Sequence, residues 1–381
     1  GSEMCIRDRP MKFLFWQNMI SIHQTALLNA LASKHQVTLA VQRAFEEERT
    51  DSGWKIPDMG NVHLELSPDE QRIHQLILSN ETAIHVFSGI DAYPMVFRAF
   101  KQCIQLKRTT LIYMEPYQTG GISGQLRRLK YALLYLKYGK KIQALLATGK
   151  FGVQAYRRSG WPASRIFEWG YFTEQTKHSA DEQNTDQQNS RTAPRLLYVG
   201  RLDNNKRILH LIHALKSFRF QIDTFTVIGT GPLVKETESL IHEEGNFRYL
   251  GKQANENVLR IMQSHDLLIL PSMYDGWGAV INEALQQGMR VLCSDRCGAS
   301  CLLDGIHRGG TFSWNEKGSL ERELRHWISK GPITQKERTD IASWAKTTIS
   351  GQAPACYLTS ILSFIQGKTS SRPLPPWQDK I

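Results

Sequence analysis

The sequence predicts an α/β fold made of two doubly wound, Rossmann-like domains. Three observations carry that reading. Short apolar runs alternate with helical patterns along most of the chain, the signature of parallel sheets with helices on both faces. A strongly polar stretch, TEQTKHSADEQNTDQQNSRTAP, interrupts the alternation at 173–194. The length of 381 residues suits two domains better than one.

The elements follow in order. KFLFWQ (12–17) reads as a buried first strand, and QTALLNALASKH (24–35) has apolar residues at helical spacing. VTLAV, TAIHVFSGI and TLIYMEP are further strands, the last two ending in polar loops. SGQLRRLKYALLYLKYGKK (123–141) is a basic, aromatic-rich helix, and ALLATG is a strand. Beyond the polar stretch, RLLYVG, FTVIG, FRYLG, LLIL and RVLCSD are strands. ILHLIHALKSF, LVKETESLIHEE, ENVLRIMQSH and AVINEALQQG are the helices between them. Helical segments around ERELRHWISKG, ERTDIASWAKT and PACYLTSILSFIQ close the chain. The expected division is 1–10 as tag residue, 11–172 as an N-terminal Rossmann-like domain and 173–194 as linker. A second Rossmann-like domain at 195–335 and helices at 336–381 that cross back to the first domain complete it.

Composition narrows the classes. No apolar run approaches the ~20 residues of a membrane span, and MKFLFW lacks the flanks of a signal peptide. The six cysteines include the evenly spaced Cys293, Cys297 and Cys301. That spacing matches no zinc pattern, so the expectation is small residues at a strand end, no metal and a reducing, cytoplasmic compartment. The net charge of +11 is concentrated: residues 97–165 hold fourteen Lys and Arg against Glu115 alone. Such a face suits an anionic partner, either a membrane surface, a phosphorylated substrate or nucleic acid. No recognition helix, zinc module or RNA-binding signature accompanies it, so nucleic acid is not the expected partner.

Ligands of open α/β sheets bind at the carboxyl ends of strands, and the candidate residues lie there. In YVGRLDNNKRILHL, Gly200 ends a strand, and Arg201 and Lys206 follow up to a helix start, an arrangement for a diphosphate or an ordinary basic loop. In VIGTGPLVKE, Gly229 and Gly231 permit either a close approach of base or ribose or merely a structural turn. In PSMYDGWGAVINEALQQG, the amides of Gly276, Trp277 and Gly278 are free for phosphate or sugar oxygens. Glu283, expected in the first helical turn, either accepts from the two hydroxyls of a ribose or complements the helix dipole. Asp275 would face a sugar one step further along.

These three motifs, in this order, resemble the nucleotide-sugar domain of the retaining GT-B-fold glycosyltransferases of family four, the group 1 type. That family carries Gly-Arg-Leu-x3-Lys, then Gly-x-Gly-Pro, then Pro-Ser-x-x-Glu-Gly-Phe-Gly with a second Glu eight positions on. The counterparts here are Gly200-Arg201-Leu202 with Lys206, Gly229-Thr230-Gly231-Pro232, and Pro271 to Gly278 with Glu283. The resemblance covers about residues 195–305 well, and EWGYF at 168–172 fits it too. It implies two Rossmann-like domains facing a central cleft. It also implies transfer of a hexose-type sugar, from UDP more than GDP, to a surface-glycan or lipid-linked acceptor. By this resemblance Arg201 and Lys206 hold the donor diphosphate, Glu283 the ribose, and Asp275 with the amides of 276–278 the transferred sugar. Retention without an enzymic nucleophile implies same-face attack assisted by the leaving phosphate, with no cofactor beyond the donor itself.

Departures are visible. Asp275 stands where the family has Glu, one methylene shorter. The paired glycines after the first strand are absent, the loop being QNMISIHQ. A family histidine after the fifth strand is missing, and Glu115 stands near that place. In the acceptor half, His23 and Glu115 are the candidate acid–base residues, His23 being equally a capping histidine. Ser88, Gly89 and Tyr117 are candidate acceptor contacts, and His85 is expected as a buried, satisfied core histidine. The basic helix with Tyr131, Tyr135 and Tyr138 reads either as an interfacial helix on an anionic membrane, placing the protein at the inner face of the cytoplasmic membrane, or as a core-packed helix with a solvated basic face. A nucleotide-sugar epimerase using Asp275, Glu115 and His23 is the alternative enzyme.

Overall fold

The computed structural model describes residues 10–44, 57–173, 191–303 and 306–378. The expected tag at 1–10 and linker at 173–194 therefore lie largely outside the described residues. The chain divides into two units, 1–174 with 348–381, and 175–347.

The first unit is built on a seven-stranded parallel sheet in the order β3-β2-β1-β4-β5-β6-β7. The strands are β1 (Lys12–Gln17), β2 (Gln36–Val41), β3 (His63–Leu66), β4 (Ile84–Ser88), β5 (Thr109–Met114), β6 (Ala144–Thr148) and β7 (Ile166–Trp169). The central strands are near-continuous apolar runs because both faces are covered; all five residues of ALLAT are buried. The helices are α1 (Ile22–Ala32), α2 (Glu70–Ser79), α3 (Pro94–Gln105), α4 (Gly121–Tyr138) and α5 (Gly149–Arg158). The sequence reading did not include β3, β7, α2, α3 or α5. The strand β3, HLEL, sits at the sheet edge with a half-exposed pattern, too short and polar to announce itself.

The second unit carries a six-stranded parallel sheet in the order β10-β9-β8-β11-β12-β13. Its strands are β8 (Arg195–Val199), β9 (Thr224–Ile228), β10 (Phe247–Tyr249), β11 (Leu267–Leu270), β12 (Arg290–Ser294) and β13 (Gly309–Phe312). Its helices are α6 (Ile208–Lys216), α7 (Val234–His242), α8 (Asn255–Gln263), α9 (Ala279–Gln286), α10 (Ser319–Ser329) and α11 (Gln335–Thr348). The strand β13 was not foreseen, since its two glycines hide it. Asp266, at the start of β11 and fully buried, ties the base of this unit together. It accepts from the Arg191 guanidinium at 2.8 Å and from the amides of Arg195 and Ile333.

The last helix, α12 (Gln352–Ile365), packs on α1 in the first unit. Gly351 allows that approach: a Cβ there would lie 2.2 Å from the Ala26 carbonyl oxygen. Arg372 donates to the carbonyls of Ser164 and Ile166, and the Trp377 ring tilts against Phe172.

In each sheet the strand order reverses once, between β1 and β4 and between β8 and β11. Such switch points open crevices at the strands' carboxyl ends.

Candidate functional site

At the switch point of the second unit, the loops after β8 and β11 are stitched together. The Met273 amide donates to the Asn205 carbonyl at 2.7 Å, and the Asn205 side chain donates to the Tyr274 carbonyl at 2.9 Å. Lys206 forms an ion pair and hydrogen bond with Asp275. Both side chains are mostly buried, 21% and 17% exposed. The two residues expected to hold diphosphate and sugar thus meet directly and neutralise each other. Lys206 lies in the loop rather than at a helix start, because α6 begins at Ile208. Asp203 accepts from the Lys206 amide at 2.9 Å and pairs with Arg201 at 3.4 Å. The Arg201 side chain is 69% exposed and available to an anion. Asp203 and Asn205 carry this loop's geometry and were not singled out from sequence, since acids and amides in a polar loop have no distinguishing pattern.

The glycines of the second motif answer to the protein's own backbone. Gly229, at φ +147°, packs so close that a Cβ would fall 1.8 Å from the Gly200 oxygen, and at Gly231 one would fall 2.3 Å from the Leu202 oxygen. The Leu202 amide donates to the Thr230 carbonyl at 2.9 Å, completing the seam. The need for glycine at both positions is therefore met by loop-to-loop packing, with or without a ligand.

The third motif is a tight turn held from the far side. The Gly298 amide donates to the Asp275 carbonyl at 3.0 Å and the Ala299 amide to the Trp277 carbonyl at 2.8 Å. The Trp277 ring is buried, with its indole N–H donating to Asn282 at 2.8 Å. Trp277 can thus offer a ligand only its backbone; its ring anchors the turn. Gly278, at φ +93°, caps α9.

Glu283 is the fifth residue of α9, in its second turn rather than its first, so the helix-dipole alternative loses its basis. Its side chain is only partly accessible, and desolvation by the surrounding core pushes the carboxyl up to about 7. None of the described hydrogen bonds or ion pairs engages that carboxylate.

Cys293 and Cys297 are buried, Cys301 is partly so, and all three are reduced cysteines. Among the described residues no group of three His, Cys, Asp or Glu could hold a metal ion.

At the switch point of the first unit lies a cavity of about 820 Å³. Its lining includes His23, Ser88, Gly89, Glu115, Tyr117 and Tyr171, together with Arg127, Lys130 and Tyr131 from α4. His23 is the second residue of α1 rather than a loop residue. Its ring stacks on Tyr171 at 5.1 Å, and the Tyr171 hydroxyl donates to the Glu115 carboxylate. The sequence placed His23 and Glu115 separately; the fold joins them through Tyr171. Gly89 takes φ +85° and closes the end of β4 by donating to the Tyr113 carbonyl. Tyr117 lines the cavity, but its hydroxyl turns inward, 3.0 Å from the Ala155 carbonyl and 2.6 Å from Ser159 Oγ. Only its ring is left for an acceptor. His85 is fully buried and outside the cavity lining. Its Nδ1 accepts from the Trp16 indole at 3.1 Å, while Nε2 has no hydrogen bond, so this core histidine is half-satisfied. Burial lowers it to about 4, hence neutral.

The helix α4 corrects the interfacial reading in one respect. Tyr131, Tyr135 and Tyr138 pack into the core, with Tyr131 stacked 4.9 Å from Tyr117 and Tyr135 5.1 Å from Trp161. They are not an aromatic belt.

Residues 180–347 match the family model described as glycosyl transferases group 1. A Bacillus subtilis protein named as a teichuronic acid biosynthesis glycosyltransferase is 32% identical over 29% of this chain and 27% of its own length. An alpha-D-kanosaminyltransferase of Streptomyces kanamyceticus is 25% identical over 43% of this chain and 45% of its own. The chain thus aligns with less than half the length of these curated relatives. Anabaena HepE, solved in complex with UDP, superposes with a TM-score of 0.67 at 15% identity, covering 93% of this chain and all of that one. That likeness identifies the pair of Rossmann-like sheets as the GT-B fold.

Proposed function

We propose, from the match of residues 180–347 to the group 1 glycosyltransferase family model, that this chain moves a hexose-type sugar from a nucleoside diphosphate to a glycan or lipid-linked acceptor. The second unit is the donor half and the first unit the acceptor half.

One observation carries the donor assignment. Glu283 holds a partly buried carboxyl whose pKa is raised to about 7, without a described partner. A buried carboxylate is costly unless hydrogen-bonded, and two vicinal ribose hydroxyls supply the missing donors. Lys206 and Arg201 then meet the diphosphate, Lys206 by exchanging Asp275 for phosphate. Released, Asp275 is free to accept from hydroxyls of the transferred sugar. The amides of 276–278, at the start of α9, and the two cations stabilise the charge that grows on the leaving diphosphate. UDP is favoured as carrier, in line with the nucleotide bound to Anabaena HepE. The aromatic lining of the first unit's cavity suits a sugar acceptor, and Glu115, hydrogen-bonded to Tyr171, is the acid that meets its hydroxyl.

Thermal unfolding with UDP, GDP, ADP and CMP, chelator present, tests this reading. A ligand at about 100 times its dissociation constant adds roughly 2.7 kcal/mol, a rise of several degrees. UDP is expected to give that rise, and Glu283→Ala to abolish it. No shift with any nucleotide, or an undiminished shift in the variant, would sink the assignment.

A further inference from the structure

The outward face of α4 has no role in the sites above. Ile122, Leu126, Leu129, Leu133 and Leu136 are each exposed, from 56% for Leu133 to 79% for Ile122. At 3.6 residues per turn these positions fall within about 40° of one line along the helix. They lie directly opposite the tyrosines that pack into the core. The result is a continuous aliphatic stripe over the length of an 18-residue helix. Five such side chains in one row are more than the scattered apolar residues of an ordinary surface.

The borders of the stripe say what covers it. Lys130 and Lys137 run along one edge, Lys130 also pairing with Asp91 at 3.0 Å, and Lys140 and Lys141 follow just beyond the helix end. No acid lies between Gly121 and Lys141. A second copy of this helix would bring further cations and no acid to meet those along this edge. An anionic bilayer instead offers acyl chains to the stripe and headgroups to its borders. We propose that α4 lies in the surface of an anionic membrane, its aliphatic stripe inserted at the headgroup boundary. The stripe, and not the tyrosines, makes the contact. Among the described residues no helix is long and apolar enough to cross a membrane, so the attachment argued here is interfacial. Arg127, Lys130 and Tyr131 of the same helix line the first unit's cavity, which therefore sits beside the headgroups. On the transfer reading, an acceptor carried by a lipid reaches that cavity without leaving the bilayer.

Sedimentation with vesicles tests the proposal, using the full chain with no donor or acceptor. The expected result is binding to phosphatidylcholine vesicles containing phosphatidylglycerol, weakened by salt and far weaker on phosphatidylcholine alone. The double variant Leu129→Ser/Leu133→Ser is expected to lose at least about tenfold in partitioning. Both leucines are exposed, so the fold should stand, and an unchanged unfolding midpoint without ligand verifies that. Failure to bind either vesicle overturns the proposal, as does binding that ignores the leucine substitutions. A concentration-dependent dimer that the same substitutions dissolve, without vesicle binding, would make a second copy the occupant and also overturn it. Since UDP binding is read separately, the membrane proposal and the donor assignment fail independently.

Discussion

Two carboxylates of the second unit differ because their surroundings differ. Asp275 reaches the Lys206 ammonium and is compensated. Glu283, eight residues later, faces desolvation alone and is raised from 4.5 to about 7. The sign follows from linkage. Between those values the folded protein holds a proton that the unfolded chain has lost. The contribution of Glu283 to stability is thus fully present below 4.5 and disappears as pH rises through about 7. Glu283→Gln should flatten that part of the stability profile, read as urea midpoints across the interval. UDP binding should run the other way, since ribose hydroxyls need the carboxylate. Affinity is expected to fall about tenfold per unit below the raised pKa, and calorimetry across the same interval would show it. A UDP affinity that is level with pH would mean the carboxylate is not the ribose acceptor.

At the scale of elements, the loops after β8, β9 and β11 form one unit because three backbone segments interlock. The loop after β9 lies against the loop after β8 so tightly that Gly229 has no space for a Cβ. Gly229→Ala should therefore cost about 2–5 kcal/mol, from overpacking and from a φ of +147° that L residues rarely adopt. Gly245→Ala is the control: nothing lies within 4 Å of its Cβ. Chemical denaturation of both variants checks this, and equal midpoints would contradict the packing account. The helix α4 obeys the same logic in reverse. Its pattern of Leu and Tyr is apolar nearly all round, so periodicity alone does not say which face is inside. The packing of Tyr131, Tyr135 and Tyr138 decides it, and leaves the leucines out.

For the whole molecule, the decisive feature is that the chain returns to its first unit. Residues 348–381 group with 1–174. There Tyr357, Leu358, Ile361, Leu362 and Trp377 are buried, and the Trp169 ring stacks on Tyr357 at 5.6 Å. Burying five such side chains contributes about 8–15 kcal/mol, as much as the whole stability of a typical domain. A fragment of residues 10–173 is expected to be unfolded or aggregated, and the same fragment joined to 348–378 to fold. Circular dichroism melts of the two would decide, and a cooperative melt of the shorter one would refute the dependence.

Much of this was legible in advance. Near-continuous apolar strands such as LLIL and ALLAT can only be central strands of covered parallel sheets, so alternation gave the α/β class directly. Gly200, Gly229, Gly231 and Gly278 stood out because special backbone needs leave glycine as their mark. HLEL and GGTF escaped because edge strands need little apolar content. The sequence by itself determined the fold class, the order of the glycine-bearing motifs and the concentration of charge, all of which are local patterns. Only the tertiary structure decided that Lys206 closes on Asp275, that Tyr171 joins His23 to Glu115, that Tyr117 hides its hydroxyl and that the leucines of α4 face outward. Those are contacts between residues far apart in the chain or choices between two apolar faces, and they are settled by packing, which no local pattern records.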